Sequence, residues 1–324
     1  MSPRFTRRTA LAGAAMLAGA ATAFPLGALA APQSAGRTYG LSPVKIGEGV
    51  WIVYGANEPI TPANGGAIAN AAILDTTDGA VVIDAGPSHR YGVELAALVQ
   101  SLTGKPAARV YVTHIHSDHL FGATAFDAEM LRVGAGLPED LRLRGEDIAA
   151  AMYRVVGDWM RGTTVPTPRH IAQDGVEDIG GRRFRHIALS GHTAVDLCLY
   201  EETSGLLFAG DLVFLDRAAT TPDADLDKWR ASLDALAGVP HRLLVPGHGP
   251  VEPGARGIAQ TRRWLDMIEA RVGEGFDQGL DIFEMTQIAP PDWTDAIAVA
   301  RQEYQRSILH LLPGVEARRL PILA

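Results

Sequence analysis

The sequence predicts an α/β layered fold, and two observations support this. Short apolar runs rich in Val and Ile recur along the chain and are bounded by Gly, Pro or Asn, as is typical of buried strands. Longer segments with apolar residues at helical spacing lie between them. Strands that alternate with helices indicate sheets with helices packed on their faces.

In the first half of the chain, predicted strands surround one predicted helix. The strands cover residues 50–54, 71–74, 80–83 and 109–112. Thr77–Gly79 has the composition of a hairpin turn between the second and third of them. Apolar spacing predicts a helix over 91–102, which ends near Gly104 and Pro106.

From residue 138 onward, helices become more frequent. The predicted helices cover residues 138–159, 226–237, 256–272 and 294–311. The predicted strands cover residues 184–189, 197–200, 206–209 and 243–245. Pro166, Pro168 and the region 175–181 predict loops and turns. We therefore divide residues 44–324 into an α/β domain over residues 44–255 and a C-terminal helical extension over residues 256–324, packed on that domain.

Residues 1–30 have the composition of an export signal. A positively charged start precedes an apolar stretch over residues 10–24 and the small-x-small cleavage pattern Ala28–Ala30. Arg7 and Arg8 resemble the twin-arginine type, although an ordinary secretory signal with two adjacent arginines stays open. Residues 31–43 follow as a short leader. We expect a periplasmic or secreted protein whose mature chain has no stable membrane span.

The composition is that of a folded soluble protein. The 324 residues are 47% apolar and 20% charged, which is enough apolar material for a sizeable core. The net charge is −8, and removal of the three arginines in the signal would make it −11. An acidic chain without a long Lys/Arg stripe is a poor partner for a phosphate backbone, so we expect no nucleic-acid binding.

The segment Thr113–His119 carries the densest set of chemically active side chains. A strand end followed by a tight loop places His114 and His116 on one side and turns Asp118 and His119 toward a neighbouring position. These four side chains cannot all bind one tetrahedral ion without strain, but they can divide between two ions. Imidazole and carboxylate suit zinc, and also iron or manganese. A surface histidine patch is the alternative interpretation.

Three further segments place a potential ligand beside glycine at a predicted strand end. They are Ser190–Thr193, Phe208–Asp211 and Val245–Gly249, which contribute His192, Asp211 and His248. Glycine permits the sharp turn that presents such a side chain from the edge of a sheet. Five of the ten histidines therefore lie in strand-end loops of the same kind, which argues against a surface patch.

In this order, the motifs HxHxDH, GHT, GD and PGHG resemble those of the metallo-β-lactamase superfamily. The resemblance covers roughly residues 44–251. It implies one metal ion bound by His114, His116 and His192, a second bound by Asp118, His119 and His248, and Asp211 as a bridge between them. It also implies that Asp84, in Val82–Gly86, orients the ligand loop.

The resemblance further implies the fold and the reaction. The family fold is an αββα sandwich with the metals at one edge between two sheets. Two zinc ions that share a water would lower its pKa enough to give hydroxide near neutral pH. This implies hydrolysis of an ester, thioester, lactone or amide bond in a small-molecule substrate, with Asp118 able to accept or relay a proton. The chain has no G-x-S-x-G motif that would suggest a serine nucleophile.

Several features distinguish branches of the family. Asp211 stands where some β-lactamases carry a cysteine, and in this the chain resembles glyoxalase II and related thioesterases and lactonases. Cys198 lies in a predicted apolar strand and is interpreted as a buried structural thiol. The nearest resemblance is to the exported quinoprotein relay system zinc metallohydrolases, on residues 120–122, 137–139 and 219–225. It implies a periplasmic quinoprotein dehydrogenase as a candidate partner.

Two other functions stay open. A single-iron enzyme of the same fold could oxidise sulfur compounds, and metal content would distinguish it from a hydrolase. A metal-loaded accessory protein of a periplasmic quinoprotein dehydrogenase is the second alternative, although it would not need all seven ligand positions. Outside the motifs, Arg217 could meet an anionic substrate, but we interpret it as a solvated arginine. The tryptophans are interpreted as packing residues: Trp159, Trp229, Trp264 and Trp293.

Overall fold

Seven strands form the first sheet of the computed structural model, which describes residues 36–320. The predicted export signal and residues 31–35 of the leader lie outside the described residues. The strands follow one another across the sheet in chain order: β1 (Pro43–Gly47), β2 (Val50–Val53), β3 (Ala71–Leu74), β4 (Ala80–Ile83), β5 (Ala107–Val112), β6 (Leu131–Val133) and β7 (His170–Ile171). Pairs from β1 to β4 are antiparallel, and pairs from β4 to β7 are parallel.

Five strands form the second sheet. Across this sheet the order is β12 (Leu243–His248), β11 (Leu206–Phe214), β10 (Asp196–Glu201), β9 (Arg182–Leu189) and β8 (Gly175–Ile179). β11 and β12 are parallel and are joined by a crossover helix, Leu226–Ala237, whereas the other pairs are antiparallel.

Helices cover the outer faces of both sheets. The α-helices of the described residues are α1 (His89–Thr103), α2 (Ser117–Leu120), α3 (Leu137–Val156), α4 (Leu226–Ala237), α5 (Arg256–Asp277), α6 (Ile282–Gln287) and α7 (Ala300–Arg319). Their ends follow known capping rules. The Ser88 hydroxyl accepts a hydrogen bond from the Tyr91 backbone N–H, and Gly104 ends α1 in the left-handed conformation.

Three apolar cores produce four layers. Adjacent strand residues point to opposite faces, so Ile73 packs toward α1 and α3, while Ala72 packs between the two sheets. Phe184 and Phe208 fill the space between the sheets from the other side. On the outer face of the second sheet, Trp229 of α4 and residues of α5 and α7 form the third core. This arrangement confirms the expected αββα sandwich with C-terminal helices.

The strand ends converge where the motifs lie. Asp84 follows β4 directly, and His114 lies two residues after the end of β5. His192 lies in the turn between β9 and β10, and His248 is the last residue of β12. The two sheets therefore bring side chains that are distant in sequence to one edge of the sandwich.

One predicted loop region is a strand. Residues 175–181 were expected to form loops and turns, but Gly175–Ile179 forms β8 at the edge of the second sheet. The sequence did not predict this strand because most of its residues are polar or exposed. One face of an edge strand contacts solvent and carries no apolar pattern. Glu177 accepts hydrogen bonds from the Arg109 side chain and from the Tyr111 hydroxyl, which connects β8 to the first sheet.

Several predicted elements have different boundaries in the structure. The last helix begins at Ala300, later than expected, and continues past Pro313 to Arg319. The proline removes a hydrogen bond to the carbonyl of Leu309, whose side chain is on the exposed side of the helix, so water can replace it. No helix among residues 36–320 has the length and apolar character to cross a membrane.

Two buried tryptophans offer a matched test of this core. The indole N–H of Trp229 donates to the Leu212 carbonyl at 2.9 Å, whereas the indole N–H of Trp264 has no partner. We expect Trp229→Phe to lower the free energy of unfolding by about 1–3 kcal/mol more than Trp264→Phe, because it leaves a buried carbonyl unpaired. Urea unfolding of both metal-loaded variants measures the difference. Equal losses would contradict a role for the hydrogen bond.

Candidate metal centre

Asp84 fixes the loop that carries the HxHxDH motif. Its Oδ1 accepts the Thr113 backbone N–H at 2.9 Å, and its Oδ2 accepts the Thr113 hydroxyl at 3.0 Å. Oδ2 also lies 2.7 Å from Nδ1 of His119. An imidazole held in this way donates from Nδ1 and presents Nε2 to the centre. Asp84 adopts a left-handed backbone with φ 61°, a conformation that few non-glycine residues adopt outside functional sites.

The first motif is divided between a loop and a short helix. His114 Nδ1 donates to the Thr113 hydroxyl at 2.9 Å, which leaves its Nε2 for the centre. His116 caps α2, and Asp118 and His119 lie inside this helix rather than in the expected loop. A single helical turn brings these two side chains toward the second group of ligands.

The His192 loop is held by a buried carboxylate. Asp196 accepts the backbone N–H groups of His192 and Thr193, both at 3.0 Å, and the Thr193 hydroxyl at 2.8 Å. Burial raises the pKa of Asp196 to about 7. The His192 ring packs edge-on against Trp229, with 4.9 Å between ring centroids. These contacts fix the ring with Nε2 directed at the centre.

Asp211 lies between the two groups of potential ligands. It was expected in a turn, but it occupies the middle of β11, where all nine residues are buried and no alternation marks the strand. Oδ1 lies 3.1 Å from His119 Nε2, and Oδ2 lies 3.3 Å from Nε2 of both His192 and His248. Gly247 permits this position, because a Cβ there would collide with the Asp211 carboxylate.

His248 is oriented from the first sheet. Its Nδ1 donates to the Ile68 carbonyl at 2.8 Å, and its Nε2 lies 3.3 Å from Asp118 Oδ2. The buried side chain of Asn70 donates to the carbonyls of Pro246 and Gly249 at 2.9 and 2.8 Å. The two sheets therefore hold the PGHG turn together.

All seven side chains meet as two groups. The first contains His114, His116, His192 and Asp211, and the second contains Asp118, His119 and His248. Within each group the potential ligand atoms lie within 4.8 Å of one another. The family resemblance implied the same division of the three histidines of the first group and the three residues of the second. It implied that Asp211 bridges them, and in the structure Asp211 lies with the first group and also contacts His119 and His248 of the second.

The electrostatics of the centre fit divalent cations. Burial disfavours its charges, but the imidazolium-forming rings of His119 and His248 keep the pKa of Asp118 below its usual range. Burial opposes a raised pKa at His119, but Asp211, Asp84 and Asp118 outweigh it. His119 Nε2, His114 Nε2 and Asp211 Oδ1 are buried and have no hydrogen-bond partner among the described residues. Buried polar atoms of this kind need a partner, and imidazole with carboxylate matches zinc, iron or manganese.

Two side chains near the centre were not recognised in the sequence. Asp223 Oδ2 lies 2.9 Å from His116 Nε2, so it holds the ring with Nδ1 toward the centre, 2.8 Å from His192 Nε2. Arg144 of α3 donates to the other Asp223 oxygen at 2.8 Å. The hydrogen bond from His116, together with Arg144, keeps the pKa of Asp223 low.

Arg217 is the second such side chain, and its expected exposure was wrong. It is only 3% exposed and lies beside His248, with 2.9 Å between Nη1 and Nδ1. No local pattern distinguishes this arginine from a solvated one, since its neighbours come from residues 31 and 159 positions away. The tryptophans at positions 159, 229 and 264 are buried, as expected of packing residues.

A cavity of about 510 Å³ opens onto the centre. His116, Asp118, Asp211 and His248 form its floor. Its walls come from α3, from α7 and from the segments around Pro59 and residues 220–223. This size matches the pockets that enclose small organic ligands.

Comparison with known proteins identifies the family. The family model described as the metallo-β-lactamase superfamily matches residues 64–248, which is more than half of the chain. The chain therefore belongs to the metallo-β-lactamase superfamily.

Curated relatives share this region. A hydroxyacylglutathione hydrolase from Chromohalobacter salexigens is 30% identical over 185 residues, which cover 54% of this chain and 58% of the relative. A beta-lactamase-like protein 2 homolog from Caenorhabditis elegans is 26% identical over 184 residues, 56% of either chain. The chain thus spans little more than half the length of these two relatives.

Solved structures share the fold. A metallo-β-lactamase from Pontibacter korlensis superposes with a TM-score of 0.56 at 24% identity, covering 70% of this chain and 99% of its own. An inverting secondary alkylsulfatase from a Pseudomonas species gives a TM-score of 0.63 at 17% identity, covering 87% of this chain and 52% of its own. At these identities the likeness concerns the fold alone.

The role of Asp84 can be tested by one isosteric change. Asp84→Asn keeps the shape, and asparagine tolerates the left-handed backbone, but its amide nitrogen cannot accept a hydrogen bond. Either the Thr113 backbone N–H or the pair formed by the Thr113 hydroxyl and His119 therefore loses its acceptor. We expect zinc affinity to fall about 10- to 100-fold, measured by competition with a chelator. Asp216→Asn is the matched control, because Asp216 has φ 56° with its side chain near solvent. Equal affinity in the two variants would refute the role of Asp84.

Asp223 is tested in the same way. Asp223→Asn removes the charge that orients His116, and we expect about a 10-fold loss of zinc affinity together with a smaller change in stability. Asp225→Asn is the control, since Asp225 caps α4 and asparagine caps a helix equally well. Zinc affinity unchanged in Asp223→Asn would show that His116 needs no such support.

Proposed function

We propose that this protein is an exported, binuclear metal-dependent hydrolase that cleaves an ester, thioester, lactone or amide bond. One observation carries the proposal: both ligand groups are complete, and Asp211 contacts members of each. A one-metal enzyme would use only one group and would leave three buried, charged or polar side chains at the other without a function.

Two bound zinc ions would supply an acidic water and a Lewis acid for the scissile carbonyl. The chain itself contributes the rest of the site. Asp118 lies at the cavity floor, so its carboxylate can accept a proton from the attacking water and then return that proton to a leaving group. Asp84 and Asp223 orient His119 and His116.

The enclosing walls orient the substrate and limit the access of water. Ile148 and Met152 of α3 line the cavity, as do Glu303 and Arg306 of α7. A substrate bound between them meets the floor from one direction, which favours one geometry of attack. Cys198 does not act as a nucleophile, because it is buried, its thiol donates to the Ala209 carbonyl and burial raises its pKa.

The comparison proteins narrow the range of substrates only in part. The relative named hydroxyacylglutathione hydrolase supports thioesters among the candidates. An export signal over residues 1–30 argues against a glutathione thioester, because enzymes for that substrate work mostly in the cytosol. We propose that the protein acts in the periplasm or outside the cell.

We also propose membership of the exported quinoprotein relay system subfamily. Residues 120–122, 137–139 and 219–225 support this assignment by their sequence. Residues 137–139 open α3, the helix that forms one wall of the cavity. Residues 219–225 contain Asp223, which lines the cavity. The assignment predicts a periplasmic quinoprotein dehydrogenase as a functional partner.

Metal content is the decisive measurement. We expect elemental analysis of protein purified without added metal to find about two zinc ions per chain, and about one in Asp118→Ala, because that variant lacks a ligand of the second group. Asp147→Ala, at an exposed position on α3, is the control and should retain both ions. A screen of ester, thioester, lactone and β-lactam substrates follows.

Different results would favour other functions. About one iron per chain, unchanged in Asp118→Ala, would overturn the binuclear proposal and favour oxidation of sulfur compounds. Two zinc ions with no hydrolysis of any substrate, together with retention of a dehydrogenase in a pull-down, would favour an accessory role.

A further inference from the structure

The walls of the cavity differ in chemistry. Ile148, Met152 and Val155 of α3, together with Pro59 and Ile60, give the cavity an apolar lining. Three arginine side chains also line the cavity: Arg144 from α3 itself, Arg217 from the segment after β11, and Arg306 from α7. An apolar surface beside clustered cations fits a ligand that carries both an apolar part and an anionic group.

Arg217 is the deepest of these cations and has few partners. Nη2 donates to the Glu58 carbonyl at 3.2 Å, and Nε is buried without a hydrogen-bond partner in the part of the chain that the structure describes. Nη1 is 2.9 Å from His248 Nδ1, but that nitrogen already donates to the Ile68 carbonyl. With Nδ1 as a donor, the contact brings two donors together, so most of the guanidinium hydrogen-bonding capacity is unused.

No carboxylate is reserved for Arg217. Glu303 binds Arg306 through both oxygens, at 2.9 and 3.1 Å. Asp118 and Asp211 are its other acidic neighbours, and both belong to the two ligand groups. When those carboxylates bind metal cations, the metal ions balance their negative charge, which is then not available to Arg217. Arg217 then becomes a buried cation without a counter-ion, which is unfavourable unless an anion enters the cavity.

We propose that the substrate is an amphipathic carboxylate, whose anionic group binds at Arg217 and whose apolar part lies along α3. This inference rests on the proposed hydrolase function and specifies its substrate class. Arg306, partly exposed beside Glu303, completes the anion site from α7. For a half-ester, the oxygen of water bonds to the acyl carbon, the bond to the alkoxy oxygen breaks, and that oxygen leaves as the alcohol with a proton.

The first experiment compares matched substrates. The phenyl half-ester of adipic acid carries a free carboxylate, and methyl phenyl adipate is its neutral counterpart of the same length. We expect kcat/KM for the half-ester to exceed that for the neutral ester about 10-fold or more, and the ratio to fall toward one in Arg217→Gln, mainly through KM. Arg301→Gln is the control, because Arg301 lies on α7 and, among residues 36–320, donates to the carbonyls of Thr286 and Ile288 and to no group of the cavity.

A second experiment does not depend on catalysis. Calorimetry measures binding of hexanoate and of neutral hexanamide to the zinc-loaded protein. We expect hexanoate to bind at least about 10-fold more tightly than hexanamide, and this preference to fall about 10-fold in Arg217→Gln at equal zinc content. Where Arg217→Gln loses zinc or fails to fold, Arg306→Gln decides, with an expected loss of about three-fold or more.

The outcomes separate this inference from the proposed function. Equal cleavage of both esters, or hexanoate affinity unchanged in Arg217→Gln and Arg306→Gln, would overturn the anion site while the hydrolase function stands. Hexanoate binding that depends on Arg217, without cleavage of any ester, would support the anion site and count against the hydrolase.

Discussion

The structure depends on neutralising three carboxylates that the two sheets bury at one edge. Asp84, Asp118 and Asp211 are 3%, 6% and 2% exposed, and histidines are their main neighbours. An imidazole is ordinarily neutral near physiological pH, yet these carboxylates raise the pKa of His119 well above its usual value, against the effect of burial. Protonation of the histidines can balance the negative charge of the carboxylates, but burial makes that protonation unfavourable. Divalent cations would neutralise the carboxylates and pair the unpartnered nitrogens at the same time. The centre is thus incomplete on protein atoms alone.

The backbone conformation near the centre also positions the buried carboxylates. Asp84 keeps a left-handed conformation directly after β4, where a continuing strand would turn its carboxylate away from Thr113. Gly247 lacks a side chain where Asp211 approaches. Strain of this kind persists only where surrounding structure compensates for it. Here the apolar core between the sheets holds β4, β5 and β12 in place, so packing stability is used to fix ligand geometry.

The resemblance implied the ligand set and one of its supports, Asp84, but the other support, Asp223, was not predicted, for a physical reason. His114, His192 and His248 occur in short motifs with glycine or a strand beside them, so local pattern is sufficient. Asp223 supports His116 from 107 positions away, and nothing in its neighbourhood distinguishes it from a surface aspartate. Apolar periodicity predicted the layered fold class. It did not predict β8, because an edge strand carries a polar face. Long-range polar contacts are therefore the information that one sequence does not display.

Metal geometry and substrate choice are physically connected in this protein. Arg144 of α3 contacts Asp223, which orients His116, so the position of α3 affects both the cavity wall and a ligand. α7 acts on the opposite side, because Glu303 engages Arg306 and leaves Arg217 without a carboxylate of its own. Both helices lie outside the short motifs that define the family. A change in either helix would therefore alter substrate choice first and the metal centre second, which lets specificity diverge while the ligand set is retained.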